Sequence, residues 1–157
     1  MRQPKKLPSQ KYLNDTFNYI DGHLYYKANN KKAGCDTSSY SVITIDKTQY
    51  YLHRIIFKMI HGIEPQFIDH KNLNPSDNRI ENLRNATPEQ NRSNVKKFTN
   101  NKSGFKGVSW CNSHKKWVAV ISSNRKRHFL GFFDDLLVAA QAYQNAAKLL
   151  HKEFALW

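Results

Sequence analysis

The Asn- and Lys-rich stretch from Phe98 to Ser103 constrains the chain most. It has no apolar periodicity, while apolar residues recur at regular spacing on both sides of it. A chain of 157 residues interrupted there builds two small cores of roughly 60 to 95 residues each, marginal but feasible as separate folds. The expected division is a flexible basic arm over 1–11, a first domain over 12–96, a linker over 97–103 and a second domain over 104–157.

Turn chemistry organises the first domain. Two short aromatic runs, Phe17 to Ile20 and His23 to Tyr26, flank Asp21-Gly22, a strong hairpin signal. Tyr40 to Ile45 alternates around Val42 and Ile43, and Gln49-Tyr50-Tyr51 resumes after Asp46-Lys47-Thr48, giving a second hairpin. From Leu52 to Ile60 the apolar residues fall at 52, 55, 56, 59 and 60, which is helical spacing, and His61-Gly62 ends it. Phe67-Ile68 reads as a short strand and Asp69 to Ser76 as a turn. Asp77 or Asn78 is expected to cap a helix running through Ile80, Leu83 and Arg84. Thr87-Pro88-Glu89-Gln90 starts another helix: Thr at the cap, Pro in the first turn and Gln three residues after Thr.

In the second domain three strands are expected, over 105–110, 116–122 and 126–132, with turns at Asn112-Ser113-His114 and Ser123-Asn124. Asp134 is expected to cap a final helix to about Lys152, whose apolar positions 136, 139, 140, 143, 146, 147 and 150 form one stripe. Alternation places Trp117, Ala119, Ile121 and Leu130 toward that helix, and Arg125, Arg127 and Phe129 outward. The fold class is therefore α+β, ending in a small three-stranded antiparallel sheet packed on one C-terminal helix.

Charge narrows the function. The net charge is +13, with 25 Lys and Arg against 12 Asp and Glu, which favours a polyanionic partner. Between Gln90 and Phe133 there is no acid but ten basic residues, with Trp110, Trp117 and Phe129 among them. Cys35 and Cys111 are far apart and form no CxxC pair, so neither structural zinc nor a disulfide framework is expected. No apolar run approaches a membrane span and Met1 to Tyr12 is polar, so a cytoplasmic location with no membrane partner is expected.

Asp69-His70 sets a carboxylate beside an imidazole. In a strand or turn the two side chains diverge, so one can ligate metal while the other faces a water. Mg²⁺ keeps several waters, so Asp69 plus one amide oxygen is a sufficient protein shell. A neutral His70 near its ordinary pKa of about 6.5 accepts a proton from water at physiological pH. Asn82 and Asn91 can hold loop backbone or ligate metal through a side-chain oxygen. Among the other histidines, His53 reads as a packed or hydrogen-bonded helix-start residue.

Taken together, Asp69-His70, Asn78-Arg79-Ile80-Glu81-Asn82-Leu83-Arg84 and Gln90-Asn91 resemble the HNH endonucleases with a ββα-metal motif, of the phage and intron-associated homing type. The segment from Tyr50 to Gly62, with His53-Arg54, also resembles the stretch that precedes that motif. The resemblance covers roughly residues 12 to 95. It implies a ββα-metal nuclease domain preceded by β-hairpins. It makes His70 the general base, Asp69 and Asn91 the metal ligands, and Asn82 the residue that braces the metal loop and helps to orient the base. It further implies Mg²⁺ (or Mn²⁺), no structural zinc, and hydrolysis of DNA to 5′-phosphate and 3′-hydroxyl ends, with a bacterial host cell as the setting if the protein is phage-encoded. Arg79 or Arg84 is a candidate phosphate clamp. Leu73 stands where many relatives carry Gly.

The later segment resembles a second family. Ser103-Gly104-Phe105-Lys106-Gly107-Val108, Lys116-Trp117, Phe129-Leu130-Gly131 and Ala139-Ala140-Gln141-Ala142-Tyr143 are similar to the DNA-binding domain of plant ethylene-response factors, the AP2/ERF domain, over about residues 103 to 155. That resemblance implies a DNA-facing surface bearing Lys106, Arg127 and Phe129, and Trp110 and Arg125 are candidates for the same role. Double-stranded DNA is the expected partner and a monomer or weak dimer the expected state. The alternative is a non-catalytic DNA-binding regulator on a decayed nuclease scaffold.

Overall fold

A computed structural model describes residues 5–94 and 101–155. The first four residues of the expected arm, and residues 97–100 of the expected linker, lie outside the described residues. The chain divides into two compact units, 1–86 and 87–157. No helix among the described residues is long and apolar enough to cross a membrane.

The first unit opens with helix α1 (Gln10–Thr16), capped by the Ser9 hydroxyl accepting from the Tyr12 N–H. Neither this helix nor the burial of Leu7 was expected of the arm, and both Leu7 and Leu13 lie in the first core. Strands β1 (Phe17–Ile20) and β2 (His23–Tyr26) pair antiparallel, and the short β3 (Lys32–Ala33) joins β2. At the tip both Asp21 (φ 44°) and Gly22 (φ 81°) are left-handed, as a two-residue hairpin with the right twist requires. β4 (Cys35–Asp36), β5 (Ser41–Ile45) and β6 (Thr48–Tyr51) form a second sheet, closed by Asp46 and Lys47, again both at positive φ.

Helix α2 (Leu52–His61) buries Leu52, Ile55, Ile56 and Met59 and ends on left-handed Gly62, following the apolar spacing. β7 (Phe67–His70) pairs antiparallel with β8 (Leu83–Ala86), Asp69 opposite Arg84 and His70 opposite Leu83. Here the expectation of a helix through Ile80, Leu83 and Arg84 is corrected. Only one 3₁₀ turn forms, Ile80–Asn82, before the chain extends. The apolar pair Ile80 and Leu83 has helical spacing, but β7 offers Leu83 a ladder, and Leu83 and Ala86, the two ends of β8, are buried.

The second unit starts with α3 (Pro88–Ser93), whose capping box is complete: Thr87 accepts from the Gln90 N–H and Gln90 accepts from the Thr87 N–H. β9 (Val108–Cys111), β10 (Lys116–Ser123) and β11 (Lys126–Phe133) form an antiparallel sheet with β10 in the middle. Helix α4 (Leu136–His151) covers one face, burying Ala139, Ala140, Tyr143 and Ala147 against Val108, Ala119 and Ile121. Its cap is Asp135, which accepts from the Leu137 and Val138 N–H groups; the expected cap, Asp134, instead pairs with Lys116 at 3.1 Å. The β10–β11 turn is Asn124-Arg125, both at positive φ, so Arg125 sits in the turn and not on the strand. A register shift between Ala119 and Val120 leaves Leu130 as an extra residue in β11. Val118, Val120 and Ser122 then share the outer face with their partners Phe132, Phe129 and Arg127.

Candidate active site

The candidate site is built at the end of β7 and in the loop that follows it. The turn after His70 closes by the Leu73 N–H donating to the His70 carbonyl (2.9 Å), with Leu73 at φ 62°. Two Asx turns continue the loop, Asn72 Oδ1 accepting from the Asn74 N–H and Asn74 Oδ1 from the Ser76 N–H. Asn82 staples it. Its Oδ1 accepts from the Asn72 N–H (3.0 Å), its Nδ2 donates to the Asp77 carbonyl (2.7 Å), and its own carbonyl accepts from the Lys71 N–H (2.9 Å). Buried side-chain amides earn their place when all their groups are matched, and Asn82 is matched on both ends.

Asp69 and His70 are both buried. Across the ladder Arg84 directs Nε (2.8 Å) and Nη2 (2.7 Å) to Asp69 Oδ2, so this guanidinium is engaged by a buried carboxylate. Arg79 forks onto Asp77 through Nε (2.9 Å) and Nη2 (2.7 Å) but keeps an exposed side chain, and it holds the Asp77 carboxyl well below the usual carboxylate range.

A chain of hydrogen bonds fixes His70. Asp36, whose carboxyl the Ser41 hydroxyl holds below its ordinary pKa, is an acceptor only. Ser41 therefore donates to Asp36 Oδ1 (2.6 Å) and accepts from Asn78 Nδ2 (3.3 Å). That turns Asn78 Oδ1 to His70 Nε2 (3.2 Å), which must carry the proton. The lone pair of the neutral ring is then on Nδ1. Burial pushes the His70 pKa down, against smaller upward pulls from Asn78, Asp69 and Asp77, so the ring is neutral at physiological pH. Asn78 and Ser41 were not singled out as partners of His70 from sequence. Ser41 is 37 residues from Asn78, and no local signal links them.

His53, on the first turn of α2, is only 8 % exposed and its ring stands edge-on to His70 at 5.2 Å between centroids. Its Nδ1 is buried with no hydrogen-bond partner among the described residues. Burial, and then the neighbouring His70 and Arg54, lower its pKa to about 3. The sequence placed it as a packed helix-start residue; only its orphaned nitrogen marks it as more than that.

The first unit thus brings together Asp69, His70 and Asn82. Asn91 is carried by the second unit, on α3, where its N–H donates to the Thr87 carbonyl (3.0 Å). Among the described residues no three His, Cys, Asp or Glu side chains converge as a metal cage. The oxygen donors around the loop are the Asp69 and Asp77 carboxylates and asparagine amide oxygens, which suit a hard divalent ion that keeps its waters. A carboxylate offers about four lone-pair sites, so the Arg84 pair does not exhaust Asp69 as an oxygen donor.

In the second unit Arg127 is exposed and Phe129 is 59 % exposed, its ring edge-on to Phe132 at 5.1 Å. Arg125 projects from the turn and lies 3.8 Å from Glu89. Trp110 pairs with Trp117 across β9 and β10, on the helix side of the sheet and away from Arg127. Lys106 is half-buried and donates to the Ser93 carbonyl at 2.8 Å.

Residues 50–93 match the model of the HNH endonuclease family. Protein 3.8 of Escherichia phage T7 is 33% identical over 105 residues, covering 66% of this chain and 86% of that protein. A protein of Acanthamoeba polyphaga mimivirus, named as an uncharacterized HNH endonuclease, is 34% identical over 116 residues, covering 72% of this chain and 59% of that protein. The chain therefore spans about three fifths of the mimivirus protein's length. No solved structure matches significantly. HNH nucleases generally use divalent metal ions. The matched segment carries α2, β7, the stapled loop, β8 and α3, and on these grounds the chain belongs to the HNH endonucleases, a family of nuclease enzymes.

Proposed function

We propose that the protein is a divalent-metal-dependent DNA endonuclease in which His70 is the general base. The observation that carries this reading is the Asp36–Ser41–Asn78 chain, which fixes the proton on His70 Nε2 and presents a neutral ring with its basic lone pair on Nδ1. Nδ1 takes a proton from water as the oxygen attacks phosphorus in line, and Asn78 stabilises the imidazolium that results through its carbonyl oxygen. Asp69, oriented by Arg84, supplies an oxygen ligand, and the family resemblance gives Asn91 the role of second ligand. Asn82 keeps the loop in shape. When bound, Mg²⁺ or Mn²⁺ supplies charge stabilisation at the phosphoryl group and the leaving 3′ oxygen. The products are 5′-phosphate and 3′-hydroxyl ends. With one such site per chain a monomer nicks one strand, and double-strand cutting takes a dimer or sequential nicks.

In the same reading the second unit holds DNA as an AP2/ERF-like domain. The outer face of its sheet bears Arg127 and Phe129, and Arg125 extends from the adjoining turn. That arrangement suits a sheet entering a groove, with Lys and Arg on phosphates. Arg79 keeps enough exposure to reach a phosphate, whereas Arg84 serves Asp69. Lys106 and Trp110 act in support of the sheet.

A supercoiled-plasmid assay tests the proposal. Wild type is expected to nick with Mg²⁺ or Mn²⁺ and not with EDTA, and His70→Ala to lose nicking while still binding DNA. Equal nicking by His70→Ala rejects the base. Tight binding with no cleavage under any divalent ion supports a non-catalytic regulator instead.

A further inference from the structure

Two exposed tyrosines stand over the candidate base. Tyr51 ends β6 and is 51 % exposed; its ring is nearly parallel to that of His53, 16° between planes and 5.6 Å between centroids. Tyr40 is 39 % exposed and its ring neighbours three others: Tyr51 at 5.3 Å, His53 at 5.5 Å and His70 at 6.2 Å. The four rings form one cluster whose inner members, His53 and His70, are buried and whose outer members face solvent. All four belong to the first unit.

Packing does not account for the outer pair. Neither tyrosine is needed to close the core, and each leaves much of its ring in water. Nor are they loosely held. The loop under Tyr40 is tied by Thr37, whose Oγ1 donates to the Tyr40 carbonyl (2.6 Å) and accepts from the Tyr40 N–H (3.2 Å). The next residue, Ser41, is the middle link between Asp36 and Asn78, so the backbone that carries Tyr40 is fixed to the group that holds His70. A rigid aromatic face of low entropy cost, set beside the proposed base that activates the attacking water, in a chain of net charge +13, is suited to a nucleobase.

We propose that Tyr40 and Tyr51 form a stacking platform for the base of a nucleotide flanking the scissile phosphate. The inference rests on His70 being the base of the reaction. An aromatic ring can take a base only when that base has left its own stack. The preferred substrate is therefore DNA that is single-stranded, mismatched or splayed at the cut, since unstacking a paired base costs a few kcal/mol.

The test is a cycle between a tyrosine and a base. The cut is first mapped on a labelled oligonucleotide with wild type and Mg²⁺. Substrates then carry a single abasic residue at each of the three nucleotides on either side of it. Wild type is expected to lose about tenfold in kcat/KM when the abasic residue falls at one of these positions, the order of one base–aromatic stack. Tyr51→Ala or Tyr40→Ala is expected to lose about tenfold on the intact substrate and to be indifferent to the abasic residue at that same position. Tyr51→Phe, which keeps the ring, restores the sensitivity. Thermal unfolding of each variant separates a lost platform from a lost fold, and the two tyrosines serve as independent variants. Losses that multiply at every position, or alanine variants that cut like wild type, overturn the platform. His70→Ala is run beside them. If it still cuts, the base assignment fails; if it is inactive while the tyrosine and abasic losses multiply, the platform alone fails.

Discussion

Lowering the pH from 7 to 5 places a charge on His53 only at the expense of the fold. In the unfolded chain the group titrates near 6.5, while burial and the neighbouring His70 and Arg54 bring it to about 3 in the folded state. The sign follows directly. Below the unfolded value the unfolded chain binds a proton that the folded chain refuses, so the stability is complete above about pH 6.5 and drains away as the pH falls toward 3. Linkage makes the loss between pH 7 and pH 5 about 2 kcal/mol for this one residue. The window is clean with respect to Asp36 and Asp77, whose lowered carboxyl values come into play only at lower pH. His53→Phe, a neutral ring of similar shape, removes the proton-binding group and is expected to be less sensitive to acid by about that same 2 kcal/mol. The assay is urea unfolding at both pH values. All three tryptophans, Trp110, Trp117 and Trp157, fall in the second unit, so circular dichroism that includes the first unit can be set against tryptophan fluorescence that reports the second. An identical acid loss in wild type and His53→Phe would refute the reasoning.

Other outcomes are expected. Arg84→Met strips a buried carboxylate of its guanidinium and is expected to cost about 3 to 5 kcal/mol, with partial recovery in the Asp69→Leu, Arg84→Met double variant; thermal melts read both. Leu73→Gly removes an L-residue from a left-handed turn and is expected to stabilise by up to about 1 kcal/mol, measured by urea unfolding. At Gly107 (φ 70°) a Cβ would run into the Tyr143 ring and lie 2.7 Å from the Val120 carbonyl, so Gly107→Ala is expected to destabilise by about 2 kcal/mol or more, seen as a lower fluorescence midpoint. Binding that neutralises about six phosphates predicts a log-log salt slope of about −5, and a slope shallower than about −2 counts against the DNA-holding sheet.

What the sequence disclosed was local. Both hairpins were legible because Asp21-Gly22 and Asp46-Lys47 permit the left-handed pairs that such tips need. Helix α2 was legible from one apolar stripe, and α3 from its capping box. Helix α1 was not, since in seven residues it buries only Leu13 and offers no period to read. The segment from Asn78 to Arg84 was misread because its fate depends on pairing with β7, a contact that spacing within the segment does not encode. The candidate site divides in the same way. Asp69-His70 and the downstream asparagines were visible as an ordered set. The partners that orient His70 were not, because Asp36 and Ser41 come from a hairpin some thirty residues upstream. The orphaned nitrogen of His53 has no counterpart in any sequence pattern.

The extra residue in β11 gives that strand one position where its length can change without turning a face over. Leu130 absorbs a frame difference between the two halves of the strand, so Phe129 and Phe132, three positions apart, emerge on one side. Deleting it would remove the bulge and restore strict alternation, with Phe129 and Phe132 then two positions apart and still on one side, opposite Val120 and Val118. A single missing codon here should therefore do less harm than one elsewhere along the same strand, and variation among relatives at this point is expected to include loss of the extra residue.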